Sequence, residues 1–154
     1  LSQRTWLDDV EPIYPEDLEE AEDASGVRVE SGDVLLVRTG ALRRRNEEGP
    51  VQTSGLGRPG FQAACLPWLH ERGVAVLGSD GISDALPGAG IEDWFVPIHQ
   101  CCLAGMGVHL LDNLLLEELS AACAARDRWE FFFVVTPLRV HGGTGSPVNP
   151  VAVF

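Results

Sequence analysis

The sequence of 154 residues predicts an α/β domain, because segments typical of strands alternate with segments typical of helices. Three successive segments carry this prediction: an aliphatic run at Asp33–Arg38, an apolar stripe with helical spacing in Gly60–Arg72, and a second aliphatic run at Val74–Leu77. The first run contains four consecutive aliphatic residues, a pattern typical of a strand that is buried on both faces. We therefore expect it to be a central strand of the sheet.

A helix is predicted ahead of the first strand, beginning at Pro15. Proline suits the first position of a helix, and the acidic side chains of Glu16 and Asp17 complement the helix dipole. The helix continues to about Ala24, and Gly26 ends it.

The segment between the first two strands divides into a loop and a helix. Ala41–Arg58 is polar, rich in glycine and without periodicity, so it is predicted to be a loop. Gly60–Arg72 carries its apolar residues on a helical stripe. Pro67 lies inside that stripe and predicts a kink or a break in the helix.

The second half of the chain continues the alternation after a loop region at Asp80–Asp93. The predicted elements are a short helix at Pro97–Leu103 stopped by Gly105 and Gly107, a strand at Val108–Leu111, a helix at Leu115–Ala125, a strand at Trp129–Val135 and a final strand at Val151–Phe154.

Composition argues against several classes of partner. The formal net charge is −12, with 11 basic against 23 acidic side chains, which argues against binding to nucleic acid. The longest apolar runs are far shorter than the roughly 20 residues of a membrane span, so no membrane partner is expected. The four cysteines show neither Cys-x-x-Cys spacing nor the pattern of a secreted domain, and a reduced cytoplasm is the expected compartment.

Seven short stretches, taken in their order along the chain, form a recognisable set of motifs. They are Gly32–Gly40, Trp68–Ala75, Gly78–Asp80, Pro97–His99, Leu111–Leu114, Glu117–Leu119 and the Gly-rich tail Gly142–Phe154. In this order they resemble the cyclase family, a group of metal-dependent hydrolases that includes bacterial kynurenine formamidase and isatin hydrolase. The resemblance implies a swivelling β/β/α domain, in which the sheet and helices surround a metal-centred cleft.

One motif of that family is missing from the sequence. Members carry a His-x-Gly-Thr-His-x-Asp stretch in their N-terminal half, whereas this chain contains no such stretch and its first histidine is His70. We therefore expect residues 1–154 to be the C-terminal portion of a single cyclase-family domain, with the half that carries the metal motif absent.

His99 and Asp112 are the candidate metal ligands. On one continuous helix, 13 residues would place them about 220° apart. The glycines at 105 and 107 instead allow a helix of about 10 Å to be followed by a returning strand of about 16 Å, so that both side chains can approach one point. Imidazole and carboxylate are suitable ligands for Zn²⁺ or Mn²⁺.

The resemblance implies a metal role for the same two positions, which are a histidine and usually a glutamate in the family. Asp112 is one methylene shorter than glutamate. Either the ion lies closer to the strand, a water molecule bridges the gap, or the site is altered.

The other candidate residues have structural alternatives. His109 fits a surface or satisfied strand position, His141 fits a capping or solvent-exposed position, and His70 lies near a helix end. Asp80 follows a strand, where ligand sites of α/β proteins often form, but it can equally cap the next turn. At most one of Cys101 and Cys102 could face the same site as His99, since neighbours on a helix point about 100° apart.

The resemblance implies hydrolysis of a formamide or cyclic amide C–N bond, as in an arylformamidase, with a divalent metal activating water. Because three protein ligands are usual in a catalytic zinc site, this chain alone is not expected to be active, and its catalytic base is unknown. The alternative is a non-catalytic, truncated or diverged relative that acts as a binding or assembly module. In either case we expect a homo-oligomer, since an isolated half exposes apolar surface.

Overall fold

A computed structural model of the chain describes residues 4–50, 57–86 and 90–154. The helices are α1 (Pro15–Ser25), α2 (Ala41–Glu48), α3 (Cys65–Arg72), α4 (Pro97–Gln100) and α5 (Glu117–Arg126), and a π-helix (Cys101–Met106) continues α4. The strands are β1 (Pro12–Ile13), β2 (Val34–Val37), β3 (Gly60–Phe61), β4 (Val76–Ser79), β5 (His109–Leu111), β6 (Phe132–Val134) and β7 (Val151–Val153).

A three-stranded parallel sheet in the order β2-β4-β5 organises the described residues. Its register aligns Leu35 with Leu77 and Leu77 with Leu110. A short parallel pair joins β1 to β3, and β6 pairs with β7 as an antiparallel ribbon. The predicted α/β class is confirmed.

The core lies where α3, α4 and the π-helix pack around β4 and β3. Its fully buried side chains include Phe61, Leu69, Leu77, Ile98 and Cys102. Ile98 belongs to this cluster and immediately precedes His99, so packing of the apolar side chain fixes the backbone that carries the histidine.

The prediction that Asp33–Arg38 forms a central strand is wrong within the described residues. β2 pairs only with β4, and each of its four residues is half-buried, so β4 is the central strand. The aliphatic run has a different physical reason: the side of β2 away from β4 borders a large groove lined largely by apolar residues.

The predicted loop after β2 contains a helix, α2, where Ala41–Glu48 are helical. Arg43 pairs with Glu47 and Arg44 with Glu48, at the i,i+4 spacing that stabilises a helix without an apolar stripe. The prediction relied on apolar periodicity and therefore missed it. Residues 51–56 of the predicted loop lie outside the described residues.

The helix predicted from Gly60 begins only at Cys65, and Gly60–Phe61 form β3 instead. Pro67 therefore occupies the first turn of α3, where its missing N–H has no helical acceptor to lose. The predicted kink is replaced by an ordinary helix start.

The chain reverses direction between α4 and β5, as the glycines predict. The π-helix ends at Gly107, which adopts a left-handed conformation with φ 71°. A left-handed residue at this position favours glycine because it has no Cβ. The reversal returns β5 alongside β4 and brings the residue after β5 back towards α4.

Candidate metal centre

Three side chains lie in a line, with His99 between two carboxylates. His99 Nδ1 is 2.6 Å from Asp84 Oδ2, and His99 Nε2 is 2.9 Å from Asp112 Oδ2. Both distances are those of hydrogen bonds between an imidazole and a carboxylate. The orientation of the ring is therefore held from both ends.

Asp84 anchors the first turn of α4 to the segment that follows β4. Its side chain is fully buried, and it accepts hydrogen bonds from the backbone N–H groups of Ile98 (2.7 Å) and His99 (3.2 Å). These amides have no helical acceptor, because they lie in the first turn behind Pro97. One carboxylate thus satisfies the helix start and the Nδ1–H of the histidine together.

Asp112 immediately follows β5 and is held by Ser83. Asp112 Oδ1 accepts from the Ser83 hydroxyl at 2.7 Å and from the Ser83 backbone N–H at 3.1 Å. Its second oxygen, Oδ2, faces His99. The carboxylate is consequently oriented by donors on one oxygen and directs the other towards the imidazole.

The two carboxylates dominate the electrostatics of His99. Hydrogen bonds to Asp112 and then to Asp84 raise the pKa of the imidazole to about 9, against the opposing effect of burial. Burial alone would raise the pKa of Asp112, but the hydrogen bonds from His99 and Ser83 outweigh it and hold that pKa below its usual value. Without a bound cation, the histidine is therefore an imidazolium at neutral pH.

This raised pKa predicts how stability depends on pH in the metal-free protein. The folded-state pKa of His99, about 9, exceeds the unfolded value of about 6.5. The stabilisation is therefore complete below about pH 6.5 and disappears as the pH rises through about 9. Urea unfolding at pH 6, 8 and 10 should show the difference between wild type and His99→Gln shrinking with pH. A difference that is constant or grows would contradict the raised pKa.

His99 and Asp112 fit two positions of a shared coordination shell. Asp84 accepts the Nδ1 proton, which leaves Nε2 as the nitrogen able to bind a cation, and Nε2 already faces a carboxylate oxygen. Histidine ligands commonly donate their second ring N–H to a carboxylate in this manner. Across residues 4–50, 57–86 and 90–154, no group of three or more His, Cys, Asp or Glu side chains is arranged to hold a metal. A metal ion at this point would therefore need ligands beyond those of the described part.

The structure brings the two predicted ligands together, but the sequence reasoning did not identify Asp84 or Ser83. Both lie in the region predicted as a loop after β4. The sequence does contain a feature that points to them, because polar residues that follow a buried strand often line the ligand site of an α/β sheet. The metal role of His99 and Asp112 stays a prediction.

The remaining candidates have structural positions. His70, His109 and His141 are exposed. Asp80 is buried and accepts hydrogen bonds from the Thr39 and Gly40 backbone amides and the Thr39 hydroxyl, so it fixes the turn between β2 and α2. Burial raises the pKa of the Cys102 thiol to about 11, and this thiol is therefore protonated at neutral pH and a poor ligand.

The chain belongs to the cyclase family. The family's sequence model, described as "Putative cyclase", matches residues 2–84, which is more than half of the chain. A crystal structure of a novel cyclase shares 31% sequence identity and superimposes with a TM-score of 0.84, covering 96% of this chain and 48% of that one. The predicted family membership and fold are thereby confirmed.

Isatin hydrolases share the fold at lower identity. Isatin hydrolase A from Ralstonia solanacearum is 23% identical with a TM-score of 0.73, covering 93% of this chain and 53% of that one. An isatin hydrolase bound to the product analogue thioisatinate is 21% identical with a TM-score of 0.74, covering 94% of this chain and 53% of that one. This chain therefore spans about half the length of these relatives.

No curated protein sequence matches the chain. Within the described ranges, no helix has the length and apolar character needed to cross a membrane.

Proposed function

We propose that this chain is part of a metal-dependent, cyclase-family hydrolase that cleaves the C–N bond of a formamide or cyclic amide, in the manner of an arylformamidase. The observation that carries the proposal is the line Asp84–His99–Asp112, in which a buried carboxylate orients the imidazole towards a second carboxylate. Isatin hydrolases among the fold neighbours support a hydrolase.

A divalent cation, Zn²⁺ or Mn²⁺, would supply polarisation of the amide carbonyl and activation of water when bound. His99 Nε2 and Asp112 Oδ2 would hold it. Asp84 would keep the proton on Nδ1, and Ser83 would orient Asp112. Two ligands do not complete a catalytic site, so the other ligands and the catalytic base would come from the half of the domain that this chain does not contain.

The test is the metal content of the full protein, measured by elemental mass spectrometry in wild type, His99→Ala and His109→Ala. We expect the metal to be lost from His99→Ala, which removes a ligand. His109→Ala should retain it, because His109 is exposed on β5. Metal content and amide hydrolysis that are both unchanged in His99→Ala would rule out the assignment.

The second candidate is a non-catalytic binding or assembly module on the same scaffold. It is favoured by one observation, namely that the described residues supply two facing ligands rather than three or more. A protein that folds normally but binds neither Zn²⁺ nor Mn²⁺ at micromolar concentration would support this candidate. In both cases we propose a cytoplasmic homo-oligomer.

A further inference from the structure

A groove of about 1360 Å³ runs along β2, between α1 on one side and α5 with the start of β6 on the other. It exceeds the roughly 300–1,000 Å³ of a typical small-molecule pocket. Its lining includes Leu36, Val37, Trp68, Leu119, Phe131 and Phe133. The size and the apolar lining fit a polypeptide better than a metabolite.

Within residues 4–50, 57–86 and 90–154, no strand pairs with the side of β2 that borders this groove. The His109 N–H donates to Ala75 O. Because successive residues of a strand direct their backbone groups to opposite sides, the odd-numbered residues of β4 form hydrogen bonds with β5 and its even-numbered residues form hydrogen bonds with β2. The parallel register then directs Leu35 and Val37 towards β4. Val34 and Leu36 consequently turn their N–H and C=O groups away from it, and among the described residues none of these groups has a hydrogen-bond partner.

Two other features indicate that the surface around the groove is incomplete. Trp68 is 7% exposed, and its indole N–H is buried without an acceptor in the described part of the chain. On the ribbon of β6 and β7, Phe132 and Val134 lie opposite Val153 and Val151, and all four are exposed on one face. A two-stranded ribbon with an uncovered apolar face is marginal by itself.

We propose that this groove receives the half of the cyclase fold that this chain lacks, and that one of its strands pairs with the edge of β2 that borders the groove. The solved relatives match 93–96% of this chain with only 48–55% of their own length, so each contains as much chain again. A strand in the groove would satisfy the outward groups of Val34 and Leu36 and would lie between β2 and the ribbon. The inference rests on family membership and not on the proposed hydrolase activity.

Hydrogen exchange on the native protein tests this docking. The protein is isolated from its source organism with an affinity tag, in whatever polypeptide or complex it occurs, and exchange is read at single residues. We expect the Val34 and Leu36 amides to exchange at least 100-fold more slowly than unprotected amides, in a species that contains further cyclase-family sequence. Rapid exchange at both amides would overturn the proposal. Protection in an assembly of this 154-residue chain alone would also overturn it, in favour of a second copy.

A matched pair of variants isolates the backbone contact. Val34→Pro removes the outward N–H, whereas Val34→Ala keeps it and shortens the side chain. We expect protection of Leu36 to fall at least 10-fold more in Val34→Pro than in Val34→Ala, with the central-strand amide of Leu77 protected in both. If the Leu36 amide is protected to the same extent in the two variants, no strand pairs with this edge of β2. If Val34→Pro also removes the protection of the Leu77 amide, the substitution has disrupted the sheet itself. The exchange of Val34 and Leu36 in the wild type then decides whether the proposal holds.

Discussion

Replacing Glu22 by alanine should lower the free energy of unfolding by about 2–4 kcal/mol. Glu22 is a buried carboxylate on α1 that accepts hydrogen bonds from Arg28 and Arg72, each at 2.8 Å, and from the Val29 N–H at 2.7 Å. Arg72 lies on α3 and its guanidinium also stacks over Trp68. The substitution therefore removes three charge-assisted bonds that join α1, the following loop and α3.

The control for this prediction is Asp23→Ala, on the adjacent residue. Asp23 also pairs with Arg28, at 3.0 Å, but its side chain is 72% exposed. Exposed ion pairs contribute about 0.2–1 kcal/mol, so this variant should lose less than 1 kcal/mol. Urea unfolding of both variants gives the comparison. Similar losses in the two would show that burial of Glu22 does not strengthen its bonds.

The elements that the sequence predicted well are those whose signals are local. Pro15 and Gly26 bound α1, and Gly107 ends the π-helix with the expected left-handed conformation. The position of β2 in the sheet could not be predicted, because an aliphatic strand shows the same pattern whether another strand or a groove covers it. α2 escaped prediction because ion pairs, and not an apolar stripe, stabilise it.

The candidate site shows the same division between local and distant information. The spacing of His99 and Asp112 and the glycines between them allowed the two side chains to approach one point, and the family resemblance implied that they share a site. Asp84 lies 15 residues before His99 in a stretch without periodicity, and its contact depends on how the segment after β4 packs against α4. Only the fold shows that a buried carboxylate lies behind the imidazole.

Replacing Asp84 by asparagine should weaken binding of the proposed metal about 10–100-fold. In the wild type, one oxygen of Asp84 accepts from Ile98 N–H, and the other accepts from both the backbone N–H and Nδ1–H of His99. If asparagine uses its single oxygen for Ile98, its NH₂ group faces the imidazole. Nδ1 must then act as acceptor, so the neutral ring carries its proton on Nε2, the atom proposed to bind the cation.

The ring nitrogen chemical shifts of His99 distinguish this positioning role from a general loss of structure. At a pH above the pKa of His99 in each protein, ¹⁵N spectra should show Nδ1–H in the wild type and Nε2–H in Asp84→Asn. Zinc titration by calorimetry should give the 10–100-fold weaker binding. Ser83→Ala is the control, because it removes a bond to Asp112 and leaves Asp84 intact, so the tautomer should not change. An unchanged tautomer together with unchanged zinc affinity in Asp84→Asn would show that the buried carboxylate does not direct the histidine.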